Sequence, residues 1–462
     1  MSLTRTLGAF AHACGGRLTG ADGPYTEVVS DSRTLQSGQL FVALKGPNFN
    51  GRDFLAAALG AGAAGAVVDS AQPLALPQIV VADTQAALTR AAGRWRADFN
   101  GPLIGVAGSN GKTTAKEMTA AILGAAGACL ATRGNLNNHI GVPLTLLRLR
   151  DEHRFAVIEM GANHPGEVAA LVEVARPAVG LITNAGAEHL EGFGNLEGVA
   201  RAEGEMVAGL PPTGTAVINA DDEFAALWRG LTRARVVTFG VRERADFHAG
   251  EVRTELAAMG LRTRFRLESP AGSTAVELAL AGAHNIANAL AAAAAAASAG
   301  ATLQQIAAGL GAMRAVPGRL QFKRAMSGAW LIDDSYNANP SSMRAAIEVL
   351  ASLGGRRWLA LGDMAELGAF ASAAHSEIGE LARAAGIERL YATGELMRGA
   401  VDSFGAGAQW FADTGALTHA LGRALTGTGS EVRLLIKGSR FNRLERVVDA
   451  LTGVPGASMG GH

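Results

Sequence analysis

Short apolar runs alternate with stretches of helical periodicity along most of the chain, and three segments differ in how they do so. In the first, Val28-Val29 and Leu40 to Leu44 predict strands, an Ala-rich helix follows Asp53, and Ala66 to Val68 predicts a further strand. The second opens with a strand at Leu103 to Val106 and a helix over Ala115 to Leu123. It continues with strands at Phe155 to Ile158 and Gly180 to Thr183 between helices. The third repeats apolar strands at Trp330 to Ile332, Trp358 to Leu361, Arg389 to Ala392 and Val432 to Ile436, each separated by helical periodicity. Gly101-Pro102 and Pro317-Gly318 interrupt the helical patterns. The expected domains are therefore residues 1–99, 100–316 and 317–462. Strands alternating with helices make the fold class α/β, with mostly parallel sheets covered on both faces. No internal repeat in the range of about 20 to 50 residues is present.

Between Leu278 and Met313 there is no charged residue, but the run is mostly Ala and carries His284, Asn285, Asn288, Gln304 and Gln305. It predicts a buried helix rather than a membrane span. The N-terminal apolar stretch from Leu7 to Ala11 is broken by His12, so no secretion signal is expected. With 41 basic and 41 acidic residues the 462-residue chain is formally neutral, which argues against nucleic acid or acidic lipid as a partner. Cys14 and Cys129 are the only cysteines and lack metal-ligand spacing, so a reducing cytoplasm is the expected setting.

Two glycine patterns invite a nucleotide reading. Gly60, Gly62 and Gly65 have the spacing G-x-G-x-x-G but follow a helix and precede a strand, the reverse of a dinucleotide-binding turn, so they read as helix termination. The run Gly105-Val-Ala-Gly108-Ser109-Asn110-Gly111-Lys112-Thr113-Thr114 follows a strand and enters a helix, as a phosphate loop must. Val106 stands where the strict Walker pattern has Gly. Lys112 can neutralise β and γ charge, and the Thr113 hydroxyl can ligate Mg²⁺. Two further strands deliver polar groups to the same sheet edge. Glu159 follows Phe155 to Ile158, and His189 follows Gly180 to Thr183. Both are expected metal ligands. No Asn-Lys-x-Asp guanine signature and no Leu-Ser-Gly-Gly-Gln transporter signature occurs. A nucleotide-gated scaffold without ligase activity remains the alternative to an enzyme.

These runs, with Asp31-Ser32-Arg33, Gly134-Asn135-Leu-Asn137-Asn138, His284-Asn285-Ile-Ala-Asn288, Asp333-Asp334-Ser-Tyr336-Asn337-Ala-Asn339-Pro340, Gly362-Asp363-Met-Ala-Glu366-Leu and Lys437-Gly-Ser-Arg440, resemble the Mur ligase family over nearly the whole chain. The phosphate loop alone leaves folylpolyglutamate synthase open as well. The Gly-Asn-Leu-Asn-Asn and Asp-Asp-Ser-Tyr-Asn-Ala-Asn-Pro runs look like the member that extends a tripeptide. The resemblance implies an N-terminal domain holding the UDP end of the substrate, a central P-loop ATPase and a C-terminal Rossmann-like domain that closes over the nucleotide. It implies a cytoplasmic, monomeric ligase that uses ATP and Mg²⁺ to join D-alanyl-D-alanine to UDP-N-acetylmuramoyl-tripeptide through an acyl phosphate.

By the same resemblance, His284, Asn285 and Asn288 lie near the adenine, Asp334 accepts from the ribose and Arg319 reaches the γ-phosphate. Ser32, Arg33, Lys45, Gly46 and Asn50 are candidates for the UDP end, with Arg52 where the family often has His. Asn135, Asn137 and Asn138 would contact the peptide substrate or position the metal, and Tyr336, Asn337, Lys437 and Arg440 are candidates for the peptide and dipeptide. At position 203 the family commonly has a Lys, which in related ligases is carbamylated to help bind a second Mg²⁺. Glu203 stands there in this chain and is expected to supply that carboxylate itself, with Glu205 the competing acid on the same turn.

Overall fold

The protein, as a computed structural model, is described over residues 5–46, 48–188, 190–257 and 260–454. It contains three sheets of five, nine and six strands. The five-stranded sheet runs in the order Arg17–Thr19, Gln78–Val80, Gly65–Val68, Leu40–Val42, Val28–Val29, parallel except at its first strand. Helix Thr84–Ala97 joins this sheet to the next by sharing a core with it, since Leu88, Ala91 and Trp95 cluster with Val142, Leu146 and Val172. The Trp95 indole N–H donates to the Leu149 carbonyl at 3.2 Å, and the Arg96 guanidinium donates to the carbonyls of Ala175 and Arg176. Apolar burial and satisfied donors thus make the first two sheets one packed unit.

In the nine-stranded sheet Leu103–Ala107 is third from one edge, paired in parallel with Phe155–Glu159 on one side and Val179–Ile182 on the other. All three strands are buried end to end, as expected for a parallel sheet covered on both faces. The chain leaves Leu103–Ala107 toward one side and returns on the other. This switch of strand order opens a crevice at the carboxyl ends, where open α/β sheets take ligands. The far edge is an antiparallel meander of Phe247–Ala257, Gly260–Ser269 and Gly272–Leu278. The sequence reading assigns no strand there, although Leu261, Thr263, Phe265 and Leu267 are buried and Arg262, Arg264 and Arg266 exposed in strict alternation.

The uncharged run is two helices, Ala283–Ser298 and Leu303–Ala312, and not the single helix expected. Gly300 in the left-handed region ends the first turn system, and a capping box between Thr302 and Gln305 starts the second. Small side chains let both helices press on helix Lys112–Gly124: a Cβ at Gly309 would lie 2.4 Å from the Ile122 Cα. Among the described residues no helix is long and apolar enough to cross a membrane.

The six-stranded sheet has the order Gln321–Arg324, Trp330–Asp334, Val432–Lys437, Arg356–Gly362, Arg389–Thr393, Ala408–Phe411, parallel after its antiparallel first pair. Its helix Pro340–Ala351 starts with Asn339 as N-cap and Pro at the first turn, where a missing N–H costs nothing. Leu261, near the tip of the central meander, packs in one cluster with Leu320 of this unit. Asn339, after the strand Trp330–Asp334, bonds Asn110, after the strand Leu103–Ala107, so these carboxyl ends of the second and third sheets face one another.

Candidate active site

The phosphate loop needs glycine at two positions. Gly108 and Gly111 have φ of 119° and 84°, and a Cβ would lie 2.1 Å from Thr183 Oγ1 at the first and 2.2 Å from Asn288 Oδ1 at the second. Inside the loop, three N–H groups are already engaged. Gly108 N–H donates to Glu203 Oε2 at 2.6 Å, Ser109 N–H to the Asn184 carbonyl at 2.8 Å, and Asn110 N–H to Asn184 Oδ1 at 3.0 Å. The anion-facing end is therefore the start of helix Lys112–Gly124, where Gly111 provides no side-chain cap and the helix dipole is positive. The Thr114 side chain is buried at the same helix start and borders the second cavity described below.

Glu159 is 2% exposed at the end of its strand. Its Oε1 accepts from the Thr113 hydroxyl at 3.3 Å and the Asn137 amide at 2.9 Å, and its backbone N–H donates to Thr132 Oγ1. Its Oε2 is buried without a hydrogen-bond partner. A buried carboxylate with one orphaned oxygen beside a Thr hydroxyl is the donor chemistry a hard cation requires, so these residues fit Mg²⁺. His189 lies outside the described residues. Among the described residues no cluster of three or more His, Cys, Asp or Glu forms a metal cage. Of the two acids on the turn, Glu203 faces the loop, whereas Glu205 accepts the N–H groups of Gly166 and Ala169 at the start of the neighbouring helix.

Two cavities of ≈590 and ≈550 Å³ meet at this loop and share Asn110, Gly111, Arg319, Asp334 and Lys437. The larger adds Asn135, Asn137, Asn138, Glu159, Tyr336 and Asn337. Within it, Asn138 Oδ1 accepts the N–H groups of Ile140 and Gly141, which fixes the turn. The smaller is lined by His284, Asn285 and Asn288 with Phe239, Val241 and Leu280, a slot with an apolar side and amide groups. Burial pushes the His284 imidazole down to about 4, so it is neutral at ordinary pH.

The third sheet reaches the loop directly. Arg319 Nη2 donates to Thr113 Oγ1 at 3.2 Å while its guanidinium lies over the Tyr336 ring at 4.5 Å, with Arg440 on the same ring at 5.9 Å. The Asn110 amide donates to Ser341 Oγ at 2.9 Å, and Asn339 donates to Asn110 Oδ1 at 2.8 Å. Lys437 is buried and engaged, its ammonium 2.7 Å from Asp334 Oδ2 and donating to the Asn337 carbonyl. Asp334 Oδ1 also accepts the Leu320 N–H.

The five N-terminal candidates line neither cavity. Ser32 and Arg33 follow the strand Val28–Val29, and Lys45, Gly46 and Asn50 follow Leu40–Val42, so all sit at the carboxyl edge of the first sheet. Arg33 pairs with Asp31 at 2.7 Å, Asn50 Oδ1 accepts the Arg52 N–H, and Arg52 ties to Ser70 and Asp69 beyond the adjacent strand.

Comparison with known proteins agrees with this architecture. The Mur ligase catalytic domain matches residues 24–96, the Mur ligase middle domain 106–296 and the Mur ligase glutamate ligase domain 318–440. The chain is 46% identical, over 96% of its length and 98% of the relative's, to a protein of Escherichia coli (strain K12) named UDP-N-acetylmuramoyl-tripeptide--D-alanyl-D-alanine ligase. The chain belongs to the Mur ligase family. A Haemophilus influenzae Mur ligase of the same name is 38% identical over 92% of this chain and 93% of its own. Among solved Mur ligases, crystal structure I of MurF from Acinetobacter baumannii superimposes with TM-score 0.89 at 34% identity, covering 98% of this chain and 99% of its own. MurF from Thermotoga maritima in complex with ADP does so with TM-score 0.79 at 26% identity, covering 92% of this chain and 97% of its own.

Sequence reasoning gave no specific role to three groups of this Mur ligase site. Glu188 carries the counter-charge of Lys112 at 3.1 Å and stands one residue before His189. Lys116, one turn along the helix from Lys112, is fully buried, donates to the Thr132 carbonyl at 2.7 Å and lies 3.9 Å from Glu159 Oε2. Asn184 holds the loop from the adjacent strand end. Two of them had a sequence signal: Glu188 stands beside His189, and Asn184 is the polar group that ends the strand Gly180 to Thr183.

Proposed function

We infer that this chain is an ATP-dependent amide ligase that joins D-alanyl-D-alanine to UDP-N-acetylmuramoyl-tripeptide, giving the pentapeptide precursor of peptidoglycan. The observation that carries the reading is the ≈590 Å³ cavity in which Lys112 and Glu159 of the central unit meet Arg319 and Tyr336 of the third. Such a cavity gathers cations where two anions, a carboxylate and a polyphosphate, must approach.

The reaction follows from that charge. A terminal carboxylate oxygen of the tripeptide forms a bond to the γ-phosphorus while the bridging oxygen leaves with ADP. Lys112 and Arg319 offset the charge that builds on the phosphoryl oxygens, and Tyr336 holds the Arg319 plane. The amine of D-alanyl-D-alanine then adds to the acyl carbon. The tetrahedral intermediate expels phosphate and loses the amine proton, leaving an amide. Water must be kept from the acyl phosphate, and the contacts of Asn339 and Ser341 with Asn110 close that side. Bound Mg²⁺ supplies charge neutralisation at the phosphates. Thr113 and Glu159 are the residues that would hold it, with His189 expected beside them and Glu203 as a further carboxylate.

His284, Asn285 and Asn288 take the adenine end and Asp334 the ribose, while the carboxyl edge of the first sheet takes the UDP end. Lys437, paired with Asp334, acts through that pair. Arg440 stacks beside Tyr336 on the dipeptide side. A tripeptide labelled with ¹⁸O in its terminal carboxylate tests the route: one label should appear in the released phosphate, and unlabelled phosphate would rule out the acyl phosphate.

A further inference from the structure

Lys112 is not a free cation waiting at the loop. Its ammonium lies 3.1 Å from Glu188 Oε1 and donates to the Ser109 carbonyl at 3.1 Å, with both side chains of the ion pair largely buried. The other Glu188 oxygen accepts from the Asn339 amide at 3.4 Å. Asn339 is the N-cap of helix Pro340–Ala351 and also donates to Asn110 of the phosphate loop. Glu188, Lys112, Asn110 and Asn339 thus link the central sheet to the third through one carboxylate.

We propose that Glu188 is a stand-in for phosphate: in the nucleotide-free enzyme it holds Lys112 by the charge that the γ-phosphate supplies in the complex, and nucleotide binding exchanges one anion for the other. Three features argue for the exchange. Among the described residues Lys112 has one short carboxylate partner, and that partner comes from a loop rather than from its own helix. The same carboxylate borders the cavity that takes the phosphates. A γ-phosphate and Glu188 held against one ammonium repel each other, and the pair is too buried for water to screen that repulsion fully. The released carboxylate keeps Asn339, so the exchange leaves the third unit docked while Lys112 turns to the nucleotide. Glu188 is a positioning residue that sets how much of the enzyme is ready to bind ATP. If it ties up Lys112 about nine-tenths of the time, the apparent affinity for ATP is lowered roughly ten-fold.

This inference rests on the nucleotide reading of the loop, and one titration separates the two. Binding of a non-hydrolysable ATP analogue and of ADP, with Mg²⁺, is measured by calorimetry for the wild type, Glu188→Gln and Glu188→Ala. The expected result is analogue binding about ten-fold tighter in both variants, with a smaller gain for ADP, which lacks the γ-phosphate. A purely structural Glu188 would give weaker binding of both nucleotides. Unchanged or weaker analogue binding in whichever variant folds overturns the exchange. Failure of the wild type to bind either nucleotide overturns the loop's assignment instead.

Discussion

Glu203→Gln should make the enzyme more stable and less active, and the structure sets the size and pH window of the gain. Glu203 is 4% exposed and has the Gly108 N–H on Oε2. Burial pushes its carboxyl from the ordinary 4.5 up to about 7, with Lys112 opposing. Between those values the folded protein holds a proton that the unfolded chain has released. Stability is therefore lost as pH rises through the window and stays constant above it. At about 1.4 kcal/mol for each tenfold, the full window amounts to ~3 kcal/mol. A Gln keeps the acceptor for Gly108 N–H and never ionises, so it escapes the loss. Urea unfolding with a chelator and no nucleotide, from about pH 5 to about pH 8, should show variant and wild type diverging by ~3 kcal/mol toward high pH. Turnover with Mg²⁺ should fall, because an amide brings no negative charge to the loop. A variant no more stable than wild type at the upper end would show that Glu203 does not carry this buried charge.

Lys112→Met should cost about 100-fold or more in turnover, roughly 3 kcal/mol, because Lys112 is the loop's own cation and Arg319 reaches the loop only from the third unit. It should also lower unfolding stability by about 1 to 3 kcal/mol by leaving Glu188 buried without its partner, and activity within a few-fold of wild type would exclude the assignment. Asn110→Ala removes two hydrogen bonds between the central and third units, worth about 2 kcal/mol together. In small-angle scattering the nucleotide-free variant should be more expanded than wild type and contract on adding an ATP analogue, while wild type changes little. Equal radii would show that docking does not depend on these bonds.

Much of the fold was legible because buried parallel strands are continuous apolar runs. Leu103 to Val106, Phe155 to Ile158 and Gly180 to Thr183 were each readable to within a residue or so of the observed strands. The short strands Arg17–Thr19 and Gln78–Val80 carry a charge and a buried Gln, so they lack that signature. The charged alternation of Gly260–Ser269 is a period-two signal that the search for parallel strands passes over. The site divides in the same way. Phosphate-loop chemistry is local in sequence, so Gly108 to Thr114 could be named. Lys116 could not, because charged residues on an amphipathic helix ordinarily face water, and only packing against Thr132 and Glu159 shows that this one is inside. The choice of Glu203 over Glu205 depended on which face of helix Leu196–Ala208 turns to the loop.

Nucleotide cleavage is tied to amide formation in one cavity. The most direct measurement is the release of ADP and phosphate by the purified chain with ATP and Mg²⁺, with the UDP-tripeptide and D-alanyl-D-alanine each present alone and then together. One ADP and one phosphate per amide formed, only when both substrates are present, is the predicted result. Sustained ADP release without the dipeptide, or with both substrates but no joined product, would contradict it.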